Sequence, residues 1–156
     1  MTGEEIMLLA IVRSTKSPDM SSQNGAVLAR DHGMGHYEPI LETLSCNEFP
    51  FDVAYSDARW ERPTKYSYIE HAERNAIYRA ANLGIATDGL VLVCPWAACA
   101  DCARAIIQAG CSKLITVDAS NNGNERWHES IALAMGMLEE AKVRIHTLKG
   151  PITGCP

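Results

Sequence analysis

Two short patterns hold residue types that do chemistry together, His71-Ala72-Glu73 and Cys99-Ala100-Asp101-Cys102. One imidazole and two thiolates make three zinc ligands. Structural zinc sites usually take all four ligands from protein, whereas catalytic sites leave one position to water. Glu73 stands two residues beyond His71, beside such a site without being needed as a ligand. Water held by zinc ionises near pH 7, so a neighbouring carboxylate is placed to move its protons. A C-x-x-C pair taken alone also suits a closed structural zinc site or a redox dithiol, and both compete with catalytic zinc. His32, His36 and Cys46 form a weaker candidate for a second metal site.

The elements that must present these residues can be read from periodicity and breakers. Both patterns open predicted helices, about Ala72 to Leu83 and Cys99 to Ala109, each closed by a glycine, Gly84 and Gly110. Helix N-termini carry partial positive charge and free N–H groups, which favour the thiolate form that binds metal. Upstream, Thr2 caps a helix over Gly3 to Ser14. Gly25 to Ala29 and Ile40 to Ser45 read as strands joined by a turn at Asp31-His32-Gly33-Met34-Gly35. Residues 46–66 lack a period and are rich in Pro, Asp, Arg and aromatics, and so long a connection inside a domain is usually functional. Leu90 to Cys94, Lys113 to Val117 and Val143 to Leu148 read as further strands. Ser120 to Asn124 reads as a loop and Glu125 to Ala141 as a long amphipathic helix. Helices alternating with the later strands call for right-handed crossovers and parallel pairing. The expected fold is a three-layer α/β/α domain over residues 1–156, with a mixed five-stranded sheet and helices on both faces.

Bulk properties narrow the partners. The net charge of −5 disfavours a grip on polymeric DNA or RNA, although a single nucleotide needs only one or two local cations. No apolar run approaches the ~20 residues that span a bilayer, and the acidic start Met1-Thr2-Gly3-Glu4-Glu5 lacks the basic flank of a signal peptide. The expectation is a cytoplasmic protein with no membrane partner. Cys94 and Cys111 sit in apolar contexts and read as small buried hydrophobes, Cys155 as a tail residue. His128 and His146 read as structural or surface histidines.

H-x-E followed by P-C-x-x-C is the signature of zinc nucleobase deaminases, and the chain, matching it in all but the proline, resembles the deoxycytidylate deaminases of the cytidine deaminase superfamily. The resemblance runs from Ser17 to about Val117. It is carried by Ser17-Pro18-Asp19 with Gly25-Ala26-Val27, by Asn47-Glu48-Phe49-Pro50, by Glu70-His71-Ala72-Glu73-Arg74-Asn75-Ala76-Ile77 and by the segment from Cys99 to Ile107. It implies Zn2+ held by His71, Cys99 and Cys102, with Glu73 as proton shuttle. It further implies that Asn47 binds the sugar 3′-hydroxyl and that the Ala72 backbone touches the pyrimidine. The implied reaction is hydrolytic deamination of dCMP to dUMP and ammonia, which feeds thymidylate synthesis, in a homo-oligomer of six or fewer subunits.

Asn47 precedes His71 by 24 residues, farther than in the similar tRNA adenosine deaminases. The intervening stretch, with Arg59, Arg62, Lys65 and Tyr66, is expected to fold over a 5′-phosphate, as is Arg74 at a helix start. Two departures stand out. Ala98 replaces the proline usual before the first cysteine, with Trp96 nearby, and Ser45-Cys46-Asn47-Glu48 replaces the Gly-Tyr-Asn-Gly of regulated members. Alternatives within the chemistry are cytidine or deoxycytidine, dCTP, a 5-substituted dCMP, or a tRNA adenosine. A zinc-stabilised interaction protein is the alternative of another class, and it leaves Glu73 without a purpose.

Overall fold

The computed structural model describes residues 1–117 and 125–149, so the expected loop at Ser120 to Asn124 and the Cys155 tail lie outside the described residues. Helix α1 spans Gly3–Ser14. Thr2 Oγ1 accepts from Glu5 N at 3.2 Å and Glu5 Oε2 accepts from Thr2 N at 2.8 Å, so two backbone donors at the helix start are satisfied reciprocally. Strand β1 (Gly25–Asp31) follows and turns back into β2 (Tyr37–Cys46). Gly25 is required by close approach, because a Cβ there would lie 2.0 Å from the Ala10 carbonyl oxygen of α1.

The β1–β2 pairing shifts register between Ala26 and Leu28. The fully buried Thr43 fills the irregularity, its Oγ1 accepting from Leu28 N at 2.9 Å and donating to Ile40 O at 2.7 Å. A buried amide that lost its ladder partner there is thereby paired.

Residues 46–66, expected to lack regular structure, contain or begin two four-residue helices, α2 (Asp57–Trp60) and α3 (Lys65–Tyr68). The remaining elements are α4 (Ala72–Asn82), β3 (Val91–Val93), α5 (Ala100–Gln108), β4 (Lys113–Val117), α6 (His128–Glu140) and β5 (Arg144–Leu148). The last helix does not begin at Glu125: residues Glu125–Trp127 form a 3₁₀ turn ahead of α6.

The mixed five-stranded sheet has the order β2-β1-β3-β4-β5. β1 is antiparallel to both neighbours, and β3, β4 and β5 are parallel. Because β3, β4 and β5 advance in one direction across the sheet, right-handed crossovers put both connecting helices on one face. Strand side chains alternate accordingly. Val27, Val91, Val93 and Ile115 pack with Ile6, Met7 and Ile11 of α1. Ala26, Leu28, Leu92 and Leu114 pack with residues of α4, α5 and α6, among them Ala76, Ile106 and Leu138. The sheet thus carries one helix on one face and three on the other, the expected three-layer arrangement with unequal outer layers. Among the described residues, no helix is long and apolar enough to cross a membrane.

Candidate active site

His71 and Cys99 occupy the N-cap positions of α4 and α5, and neither side chain caps its own helix. The first amides of both helices are served from elsewhere. Ala72 N donates to Asn47 Oδ1 at 2.8 Å, and Ala100 N donates to Ser130 Oγ of α6 at 3.0 Å. Helix starts without a cap leave donors unpaired, so these outside caps leave His71 and Cys99 available as ligands.

His71 Nδ1 lies 3.6 Å from Cys99 Sγ and 3.5 Å from Cys102 Sγ. A tetrahedral zinc with Zn–N of about 2.05 Å and Zn–S of about 2.3 Å separates such atoms by about 3.6 Å, so the donor set and its spacing fit the ion. Among the described residues, this trio is the metal-competent cluster. The Cys99 thiol is held down to about 4, chiefly by the hydrogen bond from Cys102 and further by His71, against burial. Cys102 is pushed up by that same bond and by its own burial. His32 and His36 flank the β1–β2 turn while Cys46 pairs with Gly25 at the far end of the hairpin, so these three do not converge.

Glu73, in the first turn of α4, is 2% exposed. Burial pushes its carboxyl up, the shift that suits a group giving and taking protons near neutrality. Its Oε2 meets the Asn24 side-chain amide, whose Nδ2 stands 3.5 Å away and also donates to Cys94 Sγ at 3.1 Å. Asn24 is buried, and its Oδ1 has no hydrogen-bond partner.

A cavity opens over this floor. Of the residues expected at the site, His71, Glu73, Cys99, Asn47, Lys65 and Tyr66 line it. Ala72 and Arg74 are not on its wall. The Ala72 amide is taken by Asn47, and its carbonyl accepts from Ser45 Oγ at 2.8 Å. Arg74 turns to Glu70 and, at 3.4 Å, to Asp101, which fastens the start of α4 to that of α5. Asn47 is held on every side: its Nδ2 donates to Ser22 O at 2.6 Å, its amide to Asn24 O at 3.1 Å, and its carbonyl accepts from Ser17 Oγ at 2.5 Å. Lys65 is 4% exposed and donates to Asp19 Oδ1 at 2.6 Å and to Ser21 Oγ at 2.7 Å.

The cavity wall also includes Asp19, Ser22, Asn24, Trp127, His128 and Ile131, to which the sequence reading gave no role at the site. Asn24 carried the clearest signal, a polar residue directly ahead of a buried strand. Trp96, flagged as a departure, lines the cavity too, and the Trp127 ring meets His71 edge-on at 5.8 Å. His128, read as a structural or surface histidine, is exposed and on the cavity wall.

The sequence profile of the cytidine and deoxycytidylate deaminase zinc-binding region matches residues 2–118, three quarters of the chain. The chain belongs to that family. It is a zinc-binding deaminase, and His71, Cys99 and Cys102 form a group that could hold the ion. An uncharacterised deaminase encoded in the luxG 3′ region of Aliivibrio fischeri is 32% identical over 129 residues, 83% of this chain and 81% of that protein. The human deoxycytidylate deaminase is 27% identical over 133 residues, 81% of this chain and 67% of its own length. In fold, this deaminase is similar to the dCMP deaminase of cyanophage S-TIM5, with a TM-score of 0.68 over 94% of this chain and 96% of that one at 21% identity.

Proposed function

We propose that the protein deaminates dCMP to dUMP and ammonia in the cytoplasm, as a single-domain enzyme whose product supplies thymidylate synthesis. The observation that carries this reading is one cavity joining His71, Cys99 and the buried Glu73 on its floor to Asn47, Lys65 and Tyr66 on its wall. The curated relatives named deoxycytidylate deaminase support the choice of base and phosphate state.

His71, Cys99 and Cys102 would hold a zinc ion, which would supply the nucleophile by lowering the pKa of a water. The chain's residues do the rest. Glu73 takes a proton at its carboxylate, gives it to the pyrimidine ring nitrogen, and then serves the departing amine. Its burial keeps bulk water from competing for that proton. Asn24 holds Glu73 Oε2, and the aromatic walls of Trp96 and Trp127 exclude solvent from the base. Asn47 and Ser22 stand together on the wall, where a sugar hydroxyl finds polar partners.

Ammonia release from dCMP, deoxycytidine, cytidine, dCTP and 5-substituted dCMP, at fixed ionic strength, tests the assignment. The highest kcat/KM is expected for dCMP, and a clear preference for another substrate overturns it. Glu73→Gln is the control for the chemistry. It is expected to retain zinc and to lose turnover by ~10²-fold or more. Near-normal rates in that variant would place the proton shuttle elsewhere.

A further inference from the structure

If the substrate is a cytosine nucleotide, as proposed above, its phosphate needs a cation that is not already neutralised. Lys65 is paired with Asp19, Arg74 with Glu70 and Asp101, and Arg79 with Glu48. Arg59 donates to Ala54 O at 2.7 Å and lies over the Tyr68 ring.

Among the described residues, Arg59 and Arg62, the latter reaching Ser21 Oγ at 3.5 Å, also meet no carboxylate, but Arg126 differs in lying over two rings of the cavity wall. It is exposed on the 3₁₀ turn ahead of α6. Its guanidinium carbon lies 4.5 Å from the centre of the Tyr66 ring and 5.3 Å from that of Trp127. One terminal nitrogen donates to the Tyr66 hydroxyl. Both rings line the cavity, and Trp127 is the ring that meets the metal ligand His71. Among the described residues, no carboxylate pairs with Arg126.

A guanidinium stacked on aromatic faces keeps its in-plane N–H groups for other partners, and their fork matches the oxygens of a phosphate. In a chain of net charge −5, a dianion needs such a local cation to approach. We infer that Arg126, steadied by Tyr66 and Trp127, is the residue that reads the 5′-phosphate at the mouth of the active site, with the Tyr66 hydroxyl as its positioning partner.

The test compares kcat/KM for dCMP and deoxycytidine in zinc-loaded wild type, Arg126→Met and Arg126→Lys. The methionine keeps an apolar stem against the rings and removes the charge. It is expected to lose about 10–100-fold on dCMP, as for a charge-assisted hydrogen bond, and less than about twofold on deoxycytidine. The lysine variant should recover part of the loss, since it restores charge without the fork. Equal losses on both substrates, or no loss on dCMP, overturn the inference. Ammonia from neither substrate in the wild type would instead sink the substrate reading. Arg126 would then be judged by calorimetric binding of ribose 5-phosphate to the zinc-loaded protein. Weaker binding by Arg126→Met supports the inference, and equal binding overturns it.

Discussion

Among the described residues, Asn24 carries one of two buried side-chain polar atoms without a hydrogen-bond partner, the other being Arg13 Nε. Its Nδ2 is shared between Glu73 and Cys94, while its Oδ1 is buried with nothing to accept from. A buried carbonyl left unpaired costs about 1–3 kcal/mol. Such a cost persists where function needs the group, and here the group steadies the carboxyl that moves protons. Asn24→Leu, close to the same shape, removes the orphan oxygen and the steadying donor together. The orphan oxygen goes but the buried Glu73 Oε2 loses its donor, so the two effects oppose and stability in urea unfolding should stay within about 1 kcal/mol of wild type. The variant's kcat should fall about tenfold with a smaller change in KM. A variant with undiminished kcat would show that Asn24 merely fills space behind Glu73.

At the scale of elements, the site depends on segments that have no sheet or long helix of their own. The α2–α3 region is held by Phe49 stacked on Tyr55 at 5.0 Å and on Trp60 at 4.4 Å, with Tyr68 tilted against it at 5.5 Å. It is tied to the α1–β1 connection by Lys65 and Asp19, whose side chains are 5% and 4% exposed. Removing one partner of a buried pair leaves an uncompensated charge. Asp19→Ala should therefore cost about 3–5 kcal/mol of stability, read from the urea midpoint. An unchanged midpoint would mean that water or Ser21 alone satisfies Lys65.

The same segments mark where sequence reading stops. The predicted bounds of the first helix, Gly3 to Ser14, and of the fourth strand, Lys113 to Val117, coincide with α1 and β4, because a capping box and a run of apolar residues are local signals. The metal trio was legible for the same reason, its ligands lying in two short motifs. Helices of four residues are too short to show a period, and the aromatic stack joins positions 49, 55, 60 and 68, which follow no repeat. Trp127 and His128 reach the cavity only because the 3₁₀ turn and α6 cross α5, a tertiary event without a local signature. Arg74 looked free for an anion at its helix start, but Asp101, on the neighbouring α5, takes part of its charge.

Across the whole molecule, Lys113 of β4 reaches over β3 to donate to Asp31 of β1 at 2.5 Å and to the Tyr37 hydroxyl of β2 at 3.1 Å. That bond, with a further one from Gly33 N, holds the Asp31 carboxyl below its usual range. A carboxylate depressed in the folded state contributes stability above its unfolded pKa of about 3.9, and the contribution is lost as pH falls through the folded value. Asp31→Asn should therefore be less stable than wild type at pH 7, and the gap should close on acidification below about pH 4. A gap independent of pH would mean that Lys113 gains as much from the amide as from the carboxylate.

The unequal layering of the sheet has an evolutionary consequence. The metal trio, Glu73 and the helix starts that present them sit in the layer of α4, α5 and α6, while α1 packs its own cluster against the opposite face. Substitutions far apart and without shared partners change stability nearly additively. A lineage can therefore gather stabilising changes in the α1 layer without disturbing the chemistry, and that surplus tolerates destabilising experiments in the base pocket across the sheet. The single-helix face is thus where this scaffold can store the robustness that a shift in substrate would draw upon.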